Sequence, residues 1–317
     1  MDRFIIKFLF FSIFPVSTLY GVFLLENGTA DPFYQRFTTP KQEALILGNS
    51  KAAQGIIPSI LNEELKGIYD GKLYNYSFTV YNSPFGPAYL ESVKRKLIDY
   101  EGKKCFIITV DPWSISSDIN DPNNPEKFEE NKRFISDINN VSTKPNLKYM
   151  LKWFLKSYYE IILMRLKNHL SFLNKDGWFK TGEQASFEVR NKQRNIMIDF
   201  YNGYLNRYSH SSKRFKYLDN TIEYLNRNGT VFLIRMPLHE DILKIEEKVD
   251  PNFGFRMQFL SQKHNVIFID FNQIEKEYTF KDGLHFDVES AVNFTLELSC
   301  LITNYQKNSR EYANSKK

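Results

Sequence analysis

Cysteine is the scarcest chemistry in this chain: Cys105 and Cys300 stand alone among 317 residues. Two cysteines cannot build a disulfide framework, and neither has the neighbouring Cys or His that a structural zinc site requires. They are expected to be small apolar side chains in the core, with a single disulfide between them as the alternative in an oxidising compartment. The chain also lacks Gly-x-Gly-x-x-Gly and Gly-Lys-Ser/Thr loops, which excludes the usual nucleotide cradles. No metal or other cofactor is implied. No internal repeat or low-complexity tract occurs. The formal charge of +5 comes from Lys and Arg interleaved with Asp and Glu, without a basic stripe shaped for phosphates. Nucleic acid is therefore not an expected partner.

One long stretch is both strongly apolar and free of charge. From Phe8 to Leu25 no charged residue occurs, and at ~1.5 Å per residue such a helix just spans the apolar core of a bilayer. Arg3 and Lys7 precede it while Glu26 and Asp31 follow, so the N-terminus is expected in the cytoplasm and the remainder outside, periplasmic or extracellular. Pro15 is tolerated in a membrane helix, and Tyr20 lies near one interface. A cleaved signal peptide and a buried core helix are the competing assignments. The expected organisation is an anchor over residues 1–30 and a folded domain over 31–317.

The folded part alternates apolar runs with helical periodicity. Ala44-Leu45-Ile46-Leu47, ending at Gly48, is expected as a buried strand, followed by a helix over Lys51 to Leu65, a strand Leu73 to Ser77, a helix from Pro87 to about Tyr100 and a strand Cys105 to Val110. The pattern breaks from Asp118 to Ser212. Polar turn residues give way there to aromatic-rich helix from Leu147 to Tyr208, which is expected as an insertion. It resumes with Phe215, Leu218, Ile222 and Leu225 at helical spacing, a left-handed stop at Asn228-Gly229, strands at Val231 to Ile234 and Val266 to Ile269, and a last helix capped by Asp287. Past Tyr305 the polar tail is expected to fray. Strand and helix in steps of this length predict α/β architecture: a doubly wound parallel sheet of about five strands, flavodoxin-like, with a helical insertion.

In an open parallel sheet the ligand crevice lies beyond the carboxyl ends of the strands. Gly48-Asn49-Ser50 follows the first strand, and Asp282-Gly283-Leu284-His285 lies between the last strand and the last helix. A serine hydroxyl becomes a nucleophile when a base takes its proton, and an imidazole serves when a carboxylate fixes its tautomer. Ser50 as nucleophile, His285 as base and Asp282 as its orienting carboxylate form one such set. Arg235 and His239, after the fourth large strand, are candidates for substrate contact or for ion pairing. Trp113 and Trp178 are candidates for stacking on sugar rings or for packing.

These segments resemble the SGNH (GDSL-like) hydrolase superfamily. Leu45-Ile46-Leu47-Gly48-Asn49-Ser50 is similar to its first block and Asp282-Gly283-Leu284-His285-Phe286-Asp287 to its last. With the apolar N-terminus, the run Gly48-Asn49-Ser50-Lys51 with Gly55 and Pro58 resembles the membrane-tethered proteins of bacterial envelope and exopolysaccharide gene sets, DltD-like D-alanyl transfer and polysaccharide O-acetylation proteins among them. Asn49 stands where the superfamily has Asp. The second block supplies an oxyanion donor from Gly, where this chain reads Asn75-Tyr76-Ser77-Phe78-Thr79, so a backbone amide near Ser77 or Thr79 is the expected substitute. The third block offers Asn where this chain has Asp111-Pro112-Trp113. A carboxylate would repel an oxyanion and Pro112 has no amide, so Asp111 is expected to point elsewhere, toward a sugar hydroxyl, or Asn82 to take over as donor. The resemblance implies acyl transfer at Ser50 with a cell-envelope polysaccharide as acyl donor or acceptor, either as an esterase or as an O-acetyltransferase. The alternative is a degraded domain that binds polysaccharide or scaffolds an export complex.

Overall fold

The computed structural model describes residues 2–99, 101–167, 171–182 and 185–315, with the backbone alone for residue 2 and residues 308–315. Helix α1 (Asp2–Leu25) leads into strand β1 (Ala44–Leu47), helices α2 (Ser50–Gly55) and α3 (Pro58–Glu64), strand β2 (Leu73–Asn75), helix α4 (Pro87–Lys96) and strand β3 (Cys105–Thr109). There follow β4 (Ser116–Asp118), α5 (Phe134–Asp137), α6 (Leu147–Lys152), α7 (Tyr158–Leu166), β5 (Phe172–Leu173), β6 (Phe179–Lys180), α8 (Phe187–Leu205) and β7 (Tyr208–His210). The chain closes with α9 (Ser212–Asn226), β8 (Thr230–Arg235), α10 (Glu240–Val249), α11 (Phe253–His264), β9 (Ile267–Asp270) and α12 (Val288–Ser315).

Five strands form one parallel sheet in the order β2-β1-β3-β8-β9, in a register that sets Ile46 beside both Asn75 and Ile107. Strands β1 and β3 are buried along their whole length, because helices cover both faces, and this is why they appear in the sequence as unbroken apolar runs. Side chains alternate along β2 and its extension. Asn75 donates to the carbonyls of Ala52 and Ile56 around α2, while Tyr76 bonds Ser92 of α4. Helix α2 therefore covers one face and α4 the other. The chain passes from β1 outward to β2 and then back across to β3, so the strand order reverses beside β1, and Ser50 leaves the sheet there.

Several boundaries differ from the sequence expectation. The helix expected over Lys51 to Leu65 is two, because Pro58 forces Ile57 into an extended conformation. Helix α4 stops at Lys96, where Ile98 donates instead to Gln42 and extends the chain; Tyr100 lies outside the described residues. No left-handed stop forms at Asn228-Gly229, since neither residue has positive φ. Gly229 serves by close approach: a Cβ there would lie 2.6 Å from the carbonyl oxygen of Lys104. The backbone expected to fray past Tyr305 continues as α12. Cys105 is buried as expected, but Cys300 is exposed and both are free thiols.

The inserted segment is tied at its base by the antiparallel pair β4–β7, in which Ser116 faces His210. Within it the hairpin β5–β6 interrupts what the sequence presents as continuous helix. Its turn docks on the sheet edge, where Asn75 donates to Asp176 and Arg36 donates to Gly177.

Candidate active site

Gly48 ends β1 with a φ of +150°, and a Cβ there would sit 1.8 Å from Thr109 Oγ1. Only glycine fits between these two strand ends. Asn49 then caps α2 by accepting from the Lys51 amide at 3.1 Å, which makes Ser50 the first helical residue. The opposing segment is a tight loop. Asp282 Oδ1 accepts the amides of Leu284 and His285 at 2.9 and 2.8 Å, Gly283 takes φ +85°, and the Lys281 amide donates to the His285 carbonyl.

These two segments meet. His285 Nε2 lies 2.9 Å from Ser50 Oγ, and His285 Nδ1 lies 2.7 Å from Asp282 Oδ2. Burial pushes the Asp282 carboxyl up, but its bonds with His285 outweigh this and hold it down at about 2. An ionised Asp282 fixes the proton on Nδ1, which leaves the Nε2 lone pair for the serine hydroxyl. The arrangement can draw a proton from Ser50.

Asp111 takes no part in this rim. It is 1% exposed, accepts from Asn49 Nδ2 at 2.6 Å and from the Ser114 amide at 2.8 Å, and pairs with Lys51 Nζ at 2.8 Å. Buried and paired within the protein, Asp111 is turned away from solvent, so the expectation of a hydroxyl contact is corrected. Burial alone would raise the Asp111 carboxyl; Lys51 and the hydrogen bonds of Asn49 and Ser114 bring it below its ordinary value. Lys51 also meets Glu246 at 3.2 Å, Glu246 meets Arg235 at 3.0 Å, and Arg235 meets Asp270 at 3.2 Å. Arg235 is thus an ion-pair residue under the sheet rim, not a substrate contact. Lys51 and Glu246 were missed by sequence reasoning, because their pairing joins helices 195 positions apart.

The other donors separate in the same way. Ser77 is buried, its hydroxyl donates to Ile46 and its amide donates to Asn75 Oδ1, so it has no donor free for an oxyanion. Asn82 Nδ2 donates to Thr79 Oγ1, and Asn82 lines a cavity of about 390 Å³ whose walls include neither Ser50 nor His285. The amides of Ser50 and Thr79 have no acceptor among the described residues. Thr79 follows Phe78, whose amide donates to Gly48 at 3.2 Å, so its backbone runs beside the nucleophile turn. Trp113 is buried against Tyr201 and Tyr204 and cannot stack on a sugar. Trp178 Nε1 donates to Gln54. His239 caps α10 and lies 3.0 Å from Arg194.

The insertion frames the site on two sides, through contacts between segments far apart in the chain. Lys281 bonds Gln54 at 2.9 Å and Thr181 beside β6, and Arg194 of α8 packs on Gly283. Among the described residues no group of three or more His, Cys, Asp or Glu could hold a metal.

No protein-family model matches this chain, and no curated protein matches it in sequence. Solved structures similar to it include Est24, a carbohydrate acetylesterase from Sinorhizobium meliloti, at 9% identity and TM-score 0.39, covering 84% of this chain and 100% of that one. The native M. Smegmatis aryl esterase is 9% identical with TM-score 0.38, covering 83% of this chain and 99% of that one. Similarity at this level carries nothing about activity or substrate.

Proposed function

We propose that this chain is a serine acyl-transfer enzyme of SGNH type, tethered to a membrane by α1 and acting on an ester of a cell-envelope glycan. The observation that carries the chemistry is the continuous contact from Asp282 through His285 to Ser50. His285 Nε2 takes the hydroxyl proton as Ser50 Oγ bonds to the ester carbonyl carbon, and the carbonyl oxygen becomes an oxyanion. The Ser50 and Thr79 amides receive that charge, each such donor contributing about 3 kcal/mol in comparable sites. Collapse breaks the bond to the leaving alkoxide, which takes the proton from Nε2 and leaves an acyl-Ser50. His285 then deprotonates either water, giving an esterase, or a glycan hydroxyl, giving an O-acyltransferase.

The envelope setting is supported by α1, whose segment Arg3–Leu25 is long and apolar enough to cross a membrane. Detergent-solubilised full-length protein should be labelled by a fluorophosphonate probe, and Ser50→Ala should abolish the labelling. Acetate release from an acetylated envelope glycan should disappear in the same variant. Wild-type protein that stays unlabelled while it still binds glycan would instead support a non-catalytic polysaccharide-binding role.

A further inference from the structure

Helix α7 turns its apolar stripe outward. Tyr159, Ile162, Leu163 and Leu166 recur at i, i+3, i+4 and i+7, the spacing of one helix face, and are 63, 42, 43 and 79% exposed. Leu155, just before the helix, is 92% exposed and Leu151 on α6 is 65% exposed. The opposite side of α7 is anchored, with Ile161 buried and Tyr158 stacked edge-on against Phe23 of α1 at 4.8 Å. Contiguous apolar surface of this kind is not left facing water without a use.

The position of α7 identifies what covers it. Phe23 belongs to the last turns of α1 and is buried, while the preceding side chains from Phe4 to Val16 are largely exposed. Arg165, at the far end of α7, lines one groove with Asn27 and Gln35, just beyond the end of α1. Helix α7 therefore packs beside the end of α1, where α1 enters the folded domain. Both helices present exposed apolar side chains. Exposed cations border the stripe: Lys156 before α7, and Arg165 and Lys167 at its end. An apolar face fringed by Lys and Arg is the composition of a helix lying in a membrane interface, where the cations meet anionic headgroups.

We infer that α7, with Leu151 and Leu155 ahead of it, is an interfacial membrane-binding element. It would seat the domain against the outer leaflet of the bilayer crossed by α1. This placement rests on α1 being a membrane anchor, and the test separates the two. Full-length protein carrying Cys300→Ser, which leaves only buried Cys105, is given single spin labels at Phe10→Cys, Leu163→Cys, Leu166→Cys or Glu240→Cys. Each is reconstituted in vesicles of phosphatidylethanolamine and phosphatidylglycerol, and collision rates with oxygen and with a water-soluble nickel chelate are compared. The oxygen-to-nickel ratio at positions 163 and 166 is expected to be several-fold above that at 240 and to approach that at 10. Ratios at 163 and 166 equal to that at 240, with position 10 still in lipid, overturn the interfacial element and leave the anchor standing. An aqueous ratio at 10 overturns both. Labels at 163 and 166 shielded from both reagents place a second copy or another protein on this face, and also overturn the inference.

Discussion

Asp282 and Asp111 are both carboxylates held below their ordinary range, yet one serves the imidazole and the other braces the turn beneath the nucleophile. Asp282 stabilises the fold above the unfolded carboxyl range, and that contribution disappears as pH falls through about 2. It stays ionised across the neutral range, so any loss of activity between pH 5 and 8 arises elsewhere in the site. Asp282→Asn keeps the shape but presents the wrong hydrogen-bonding group to Nδ1, and should lower kcat by about 10³ to 10⁴ with little change in KM. Steady-state kinetics on a chromogenic acetyl ester would check this; a loss under tenfold would remove Asp282 from the relay. Lys51→Met leaves Asp111 and Glu246 buried without their shared cation and should cost about 3 to 5 kcal/mol in chemical denaturation. The double variant Lys51→Met, Asp111→Asn should recover part of that loss, because Glu246 keeps Arg235. The Ser50, His285 and Asp282 set was legible because each residue sits in a short local pattern beside a strand end. The destination of Asp111 was not, because its partners Asn49 and Lys51 come from the turn and helix that follow a different strand.

Strands β1, β3 and β8 were legible as apolar runs because the sheet is buried on both faces, a condition that erases alternation but leaves β-branched and aromatic side chains. Ends of elements were less legible. The stop of α4 depends on the pairing of Ile98 with Gln42, a contact made by a strand-edge segment far back in the chain. The hairpin β5–β6 had a local signal, Asp176-Gly177, masked by the helical, aromatic character of its surroundings. That turn is a test of how the insertion holds the site. Gly177 has φ +86°, and a Cβ there would lie 2.3 Å from the Asn75 carbonyl oxygen. Gly177→Ala should push the hairpin off β2, loosening the Trp178 bond to Gln54 at the end of α2. The expected result is a fall of about 1 to 3 kcal/mol in stability together with faster proteolysis within the hairpin. Unchanged proteolysis would mean that the hairpin adjusts in place.

At the scale of the whole molecule, the proposed anchoring makes the direction in which α1 would cross a membrane decide which side the Ser50 rim faces. Arg3 and Lys7 precede the apolar run and Glu26 and Asp31 follow it, so the positive flank favours retention of the N-terminus in the cytoplasm. Glu26 is itself buried and accepts the Gly28 and Asp31 amides, which shapes the turn where the chain leaves α1, while Phe23 packs on Tyr158. The two free thiols differ in a way that makes the orientation measurable without any substitution, since Cys300 is exposed on α12 while Cys105 is buried in β3. In intact spheroplasts of a bacterial host expressing the full chain, a membrane-impermeant maleimide should label the protein before permeabilisation, and Cys300→Ser should remove that label. Exchanging both Arg3 and Lys7 for Glu weakens the retained flank and should lower the externally labelled fraction. If the wild-type thiol reacts only after the membrane is opened, the domain lies on the cytoplasmic side, and a cell-surface glycan cannot reach Ser50.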